Sequence, residues 1–241
     1  MEVKRYKHHA EYSYTLGMAL TIELITYKKE SVYKIYVHPD YVAQDENRTI
    51  FDICKKAELP CEVNRKIFNR LSMKENTYVI GVFEKYVMDL SWEEPHIVLV
   101  NPGDSGNLGT ILRTGLGFGF KDYSIIRPGV DIYAPKTIRA SMGALFHVRF
   151  SYYDSFDCYR QQFPGHEIYS FLLDGEIELS EIREKPRKPF SLVFGNEGRG
   201  LPYCFHNYGR SVCIAHNHEI DSLNLAIAFG IAARDFAVLK I

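Results

Sequence analysis

Ile97-Val-Leu-Val-Asn-Pro-Gly-Asp-Ser-Gly-Asn-Leu-Gly-Thr-Ile-Leu-Arg113 runs from an apolar stretch into a turn and then into a helix-like stretch. Four consecutive apolar residues read as a strand buried on both faces, as in a parallel sheet. Pro102 to Gly106 break the run, and Asn107 is placed to cap a helix through Arg113 to about Gly117. The start of such a helix leaves N–H groups that favour an anion. Arg113 lies among Ile111, Leu112 and Leu116, so its cation is expected to face a cleft or a carboxylate. Alone, the segment is better explained by a cap and a surface arginine.

The same alternation extends in both directions. Downstream, Tyr123–Ile126, Ile168–Leu173, Leu192–Phe194 and Ser211–Ile214 read as short strands, and Ser222–Leu239 as a closing helix. Strands alternating with helices imply an α/β domain with a mostly parallel sheet, whose ligands sit at the carboxyl ends of strands. Upstream, Leu16–Lys28, Thr49–Ala57 and Arg65–Leu71 are helix-like, while Val32–Val37, Pro60–Val63 and Tyr78–Phe83 are strand-like. Asp89, Glu93, Glu94 and Pro95 interrupt the apolar pattern and suggest a linker. Two domains are therefore expected: a small α/β domain over residues 1–88 and a larger one over 95–241.

Two further segments share the strand-end character of the first. Leu192-Val-Phe-Gly-Asn-Glu-Gly-Arg-Gly-Leu201 ends a strand in a loop with three glycines, which permit close approach of backbone to a ligand. Glu197 is the one acid within that loop. Ile220-Asp-Ser-Leu-Asn-Leu225 opens the last helix, with Asp221 or Ser222 as the expected cap. Each has an ordinary explanation as a tight turn or a cap. The glycines do not make a nucleotide loop: Gly103, Gly106 and Gly109 are spaced by three, Gly115, Gly117 and Gly119 follow a helix, and no phosphate-loop pattern occurs. Cys213, His216 and His218 do not match structural zinc spacing, so no metal is expected.

Bulk properties exclude little more. A formal net charge of −1 rules out a globally basic nucleic-acid binder but not a local basic face. Such a face could draw on Lys4, Arg5, Lys7, Lys28, Lys29, Arg65, Lys66 and Arg70, although nearby acids nearly balance them. The 5 cysteines are scattered without a C-x-x-C pair, which suits a reducing compartment. The most apolar windows, Tyr14–Tyr27 and Leu223–Leu239, carry charged or amide residues and are not credible membrane spans. A cytoplasmic protein is expected.

Taken in order, N-x-G-x-x-x-R ending at Arg113, F-G-N-E-G-x-G-L over Phe194–Leu201 and S-L-N over Ser222–Asn224 resemble the three motifs of the SpoU (TrmH) branch of the SPOUT RNA methyltransferases. Pro135–Ala144 also resembles the family's segment between the first two motifs. The resemblance covers Ile97 to the C-terminus and is weaker upstream, where the chain looks like a small ribosomal-protein-like substrate-binding domain. It implies a trefoil-knot α/β domain that binds S-adenosylmethionine, and a homodimer with sites at the interface. The implied reaction is methyl transfer to a ribose 2′-hydroxyl of RNA, rRNA in preference to tRNA. Carried over by position, Arg113, Asn107, Glu197, Ser222 and Asn224 would be catalytic. Leu173, Gly195, Asn196, Gly200, Ile214 and Leu223 would hold the cofactor.

Arg113 is a poor proton acceptor because a guanidinium stays protonated. Its expected part is to hold an RNA phosphate and stabilise charge on the 2′-oxygen. The chain departs from the family at Ala215-His216-Asn217-His218, where Pro-Met-x-Gly is usual. That departure keeps open a catalytically inactive RNA-binding protein of the same fold. A nucleotide-dependent oxidoreductase has only the glycine content in its favour.

Overall fold

The alternating aromatic and hydroxyl residues of Tyr12-Ser-Tyr-Thr-Leu16 form β1, a strand the sequence reading did not mark; only its last residue, Leu16, falls in the expected helix. Gly17 then breaks the strand and α1 follows over Met18–Lys28. The computed structural model describes residues 3–42, 49–71, 77–183, 186, 189–217 and 219–237. Next along the chain come β2 (Val32–Val37), α2 (Pro39–Val42), α3 (Thr49–Lys56), β3 (Cys61–Val63), α4 (Arg65–Leu71) and β4 (Val79–Glu84). The sheet order is β1-β4-β2-β3, antiparallel except for the β2–β3 pair. Its core gathers Ile35, Val37, Ile50 and Val79 on one side and Tyr14, Phe68, Ile80 and Val82 on the other.

The larger sheet begins with β5 (His96–Val100), followed by α5 (Ser105–Gly117) and β6 (Asp122–Ile126). The short helix α6 (Pro135–Ala140) precedes β7 (Arg149–Tyr153), α7 (Phe156–Gln162), β8 (Glu167–Phe171), β9 (Ile177–Glu178), β10 (Phe190–Phe194), β11 (Arg210–Cys213) and α8 (Leu225–Asp235). The strand order is β7-β6-β5-β10-β8-β11-β9. Every pairing is parallel. Every residue of β5, β6 and β10 is buried, as their unbroken apolar runs require.

The chain divides into two compact units: Met1–Tyr86 with Asp131–Phe146, and Val87–Val130 with His147–Ile241. The expected bounds of 1–88 and 95–241 run without interruption, whereas Asp131–Phe146 groups with the first unit. Short-range contacts explain this. The Ser13 hydroxyl donates to the Tyr133 carbonyl at 2.6 Å, the Tyr6 hydroxyl donates to Asp131, and Phe83 meets the Phe146 ring edge to face.

At the amino ends of β5, β8 and β10 lies a buried polar cluster. His96 Nδ1 is 2.9 Å from the Tyr159 hydroxyl, which is 2.6 Å from Ser191 Oγ, itself 3.0 Å from His166 Nδ1. Beside it, fully buried Asp122 pairs through both oxygens with Arg149 and accepts from the Ser91 N–H. Hydrogen-bonded partners of this kind are what allow polar groups at full burial.

Candidate functional site

The site is assembled at the carboxyl ends of β5, β8, β10 and β11, where a parallel sheet leaves its crevice. α5 is capped by Asp104, whose Oδ1 accepts from the Asn107 N–H at 2.8 Å; Asn107, expected as the cap, lies three residues inside the helix. Gly115 lets α5 approach its neighbours, because a Cβ there would lie 2.1 Å from the Tyr123 hydroxyl and 3.0 Å from the Phe229 ring. That close packing gives the first of the alternating glycines a structural reason.

After β10 the chain turns back on itself. Asn196 and Gly200 exchange backbone hydrogen bonds at 3.2 and 2.9 Å. The Asn196 side chain locks this turn by accepting from the Gly198 and Arg199 N–H groups and donating to the Asn101 carbonyl at 2.8 Å. Gly195 admits no side chain, since a Cβ would sit 2.1 Å from the Gly200 carbonyl carbon.

Glu197 faces back onto the start of α5. It accepts from the Gly103 and Asp104 N–H groups at 2.9 and 3.0 Å, and from the side-chain amides of Asn107 and Asn196 at 3.2 and 3.3 Å. Burial works against its charge, but these donors outweigh it and hold the carboxyl below its ordinary range. The anion expected at this helix start is therefore the protein's own carboxylate.

The third segment joins through Asn224. It caps α8, accepting from the Ala226 and Ile227 N–H groups, in place of the expected Asp221 or Ser222. Its side-chain amide donates to Asn107 Oδ1 at 3.1 Å. Asn224, Asn107 and Glu197 thus form one hydrogen-bonded line, with one member from each sequence segment.

Beside this line opens a cleft of about 270 Å³. Phe171 and Phe194, stacked with centroids 4.5 Å apart, contribute to its apolar wall with Leu201 and Leu225. The sequence-predicted Leu173, Gly195, Asn196, Gly200, Ile214 and Leu223 all line it, and so do Glu197 and Ser222. His216 also lines the cleft, with Nδ1 2.9 Å from the Ile214 carbonyl; His218 lies outside the described residues. Asn107 reaches the cleft only through its partners. Arg113 is exposed, lines neither this cleft nor its neighbour, and among the described residues has no hydrogen bond or ion pair to its guanidinium. Among those residues no group of His, Cys, Asp or Glu is arranged to hold a metal ion. No described helix is long and apolar enough to cross a membrane.

Sequence reasoning did not single out the second cleft, of about 610 Å³, which shares Asn196, Arg199 and Gly200 with the first. Its remaining wall joins Val100–Gly103 of the opening segment to Pro202 and to Pro128–Val130, and no local pattern marks the last of these.

Known proteins resemble this chain in sequence and fold. The chain is 30% identical over 160 residues to a tRNA/rRNA methyltransferase of Synechocystis described as uncharacterised, covering 63% of this chain and 58% of that protein. It is 29% identical over 136 residues to the 23S rRNA (guanosine(2553)-2′-O)-methyltransferase of Bacillus subtilis, covering 53% of this chain and 52% of that one. The aligned stretch thus spans little more than half the length of either relative. Among solved structures, an AdoMet-bound rRNA methyltransferase from Sinorhizobium meliloti superposes with a TM-score of 0.79 at 27% identity, covering 94% of this chain and 87% of that one. A structure concerned with 2′-OH methylation of C/U34 on tRNA matches with a TM-score of 0.55 at 32% identity, covering 61% of this chain and 95% of that one. The fold is that of the SPOUT methyltransferases. A profile of the SpoU rRNA Methylase family matches residues 94–234, well over half of the 241 positions, and the chain belongs to that family.

Proposed function

We propose that this protein is an S-adenosylmethionine-dependent RNA methyltransferase that acts as a homodimer on a ribose 2′-hydroxyl. The observation that carries the reading is the line Asn224–Asn107–Glu197, which fastens all three motif segments beside a single cleft. The cleft suits the methyl donor. Stacked Phe171 and Phe194 and the side chains of Leu201 and Leu225 offer apolar surface for an adenine. Gly195 and Gly200 bring backbone close enough to read its edge. Bound there, S-adenosylmethionine supplies a methyl group already made electrophilic by its sulfonium.

The chain's own residues then have separate tasks. Glu197, Asn107 and Asn224 hold the loops in register and leave little of their polarity free. Arg113 grips an RNA phosphate and stabilises negative charge developing on the 2′-oxygen, which gives its proton to solvent and takes the methyl group as the sulfonium–methyl bond breaks and S-adenosylhomocysteine is left. Arg113 stands outside the cleft of its own chain, which supports a site completed by Arg113 of a second copy. Ile227 and Ile231, exposed one turn apart on α8, offer apolar surface for such pairing.

Ribosomal RNA is the preferred substrate. One structure matched over 94% of the chain is an rRNA methyltransferase, whereas the tRNA-related structure is matched over 61%. The free cysteines suit the cytoplasm.

Calorimetry with S-adenosylmethionine, followed by mass mapping of 2′-O-methylated nucleotides in total RNA after incubation, tests this reading. Cofactor binding with new methylation in rRNA supports it. RNA binding with no transfer across a broad panel would instead favour the inactive RNA-binding protein.

A further inference from the structure

The second cleft has a chemistry of its own. It lies at the carboxyl ends of β5, β6 and β10, and Asn196, Arg199 and Gly200 form its border with the first cleft. Three prolines (Pro102, Pro128 and Pro202) together with Val100 and Val130 give it flat, apolar walls. Two of the wall's carbonyls are already occupied: that of Pro102 accepts from the Val130 N–H at 2.8 Å, and that of Asn101 accepts from Asn196.

Two polar side chains on the wall remain unengaged among the described residues: the Asn101 amide and the Arg199 guanidinium. Asn101 holds a left-handed backbone, φ 56°, at the end of β5. A non-glycine residue there has an energetic cost and calls for a reason. Among the described residues no acidic side chain lines the cleft. At its edge, Arg127 stacks over the Tyr152 ring at 4.8 Å and pairs with Asp154 at 3.3 Å, and the Tyr152 hydroxyl donates to the Val130 carbonyl at 3.4 Å.

We infer that this cleft receives the target nucleoside, unstacked from its RNA. The inference rests on the proposed function and adds where the substrate's base goes. The base lies against the prolines and Val130, the Asn101 amide hydrogen-bonds its edge, and Arg199 takes the adjoining phosphate. This puts the ribose at the shared border, next to the methyl donor's cleft. The Arg127–Tyr152 pair presents a ring, and a guanidinium shared with Asp154, to the neighbouring nucleotide. A volume of about 610 Å³ falls within the range of small-molecule sites. Flat walls with few polar atoms match how extruded bases are held.

Two measurements test this. First, random-sequence RNA carrying 4-thiouridine is cross-linked to the wild-type protein in the presence of S-adenosylhomocysteine, and the linked peptides are mapped by mass spectrometry. Cross-links are expected within residues 127–130 or 199–203; cross-links confined to other peptides overturn the inference. Second, Val130→Trp and Pro202→Trp fill the cleft from different walls. Each is expected to raise the KM for total RNA at least about tenfold, with the S-adenosylmethionine Kd within about twofold of wild type. Asn101→Ala is expected to change the proportions of the four 2′-O-methylnucleosides formed. Melting curves identify a misfolded variant, and the second wall then supplies the result. Wild-type KM in both folded tryptophan variants sinks the inference. Cross-links in the cleft without methyl transfer by the wild type would remove the proposed function and leave the nucleoside site standing.

Discussion

The side-chain amide of Asn224 donates to Asn107 Oδ1 at 3.1 Å, joining residues 117 positions apart. Asn107 passes the connection on through its own amide, which donates to Glu197 Oε1. The two end members also fix backbone: Asn224 caps α8, and Glu197 takes two N–H groups at the start of α5. The line therefore sets the register of two helices and one loop around the cleft.

Asn224→Asp separates the cap from the bridge. The carboxylate still caps α8 but cannot donate to Asn107 Oδ1, and turning the Asn107 amide over would set its oxygen against Glu197. Melting is expected to stay near wild type, while kcat/KM for methyl transfer falls about tenfold or more. Asn224→Ala loses both functions and is expected to cost about 1 kcal/mol of stability besides. Wild-type transfer by Asn224→Asp, in a kinetic assay with labelled donor, would show that the bridge is dispensable.

Gly195→Ala attacks the cofactor cleft from inside. A methyl group 2.1 Å from the Gly200 carbonyl carbon forces the Asn196–Gly200 turn open. Calorimetry is expected to show S-adenosylmethionine binding weakened by at least about tenfold, equivalent to 1.4 kcal/mol. Unchanged binding would mean that the turn can relax without reshaping the cleft.

The buried histidines make stability sensitive to acid. Burial, reinforced by neighbouring His166, pushes His96 down to about 4 from an ordinary 6.5. The unfolded chain therefore takes up a proton at a higher pH than the folded one. The stability held by the neutral ring is complete above about pH 6.5 and is lost as the pH falls towards 4, by about 3 kcal/mol in all. Urea unfolding at pH 7.5 and pH 4.5 measures the loss. A His96→Gln variant is expected to show a shallower dependence; an equal slope in both proteins would place the sensitivity in other groups.

The parallel sheet was legible because β5, β6 and β10 are apolar without interruption, a pattern set by burial on both faces. Strand β7 escaped notice: it lies at the edge of the sheet, and Arg149-Phe-Ser-Tyr-Tyr153 buries one residue fully while the rest stay half-buried. The helix caps were misplaced by two or three residues because Asp, Ser and Asn all cap well and stand side by side in both segments. The cleft-lining loops could be read from their glycines. That Glu197 and Asn107 are engaged with one another could not, because a pairing across 90 residues leaves no local trace.

Arg113 permits a test that distinguishes one chain from two. Its guanidinium is exposed and has no partner among the described residues, so Arg113→Ala is expected to change stability by less than about 0.5 kcal/mol. Loss of its charge from the transition state should lower methyl transfer about a hundredfold. Gly195→Ala impairs the cleft instead. Co-expressed with different affinity tags, the two variants form mixed dimers in which one intact cleft can meet one intact Arg113 only across the interface. Recovery of transfer in the doubly purified species, towards about half the wild-type rate per dimer, is expected if the arginine acts on the other copy's cleft. If each arginine serves its own chain, every site in the mixed dimer carries a defect, and activity stays at the level of the single variants.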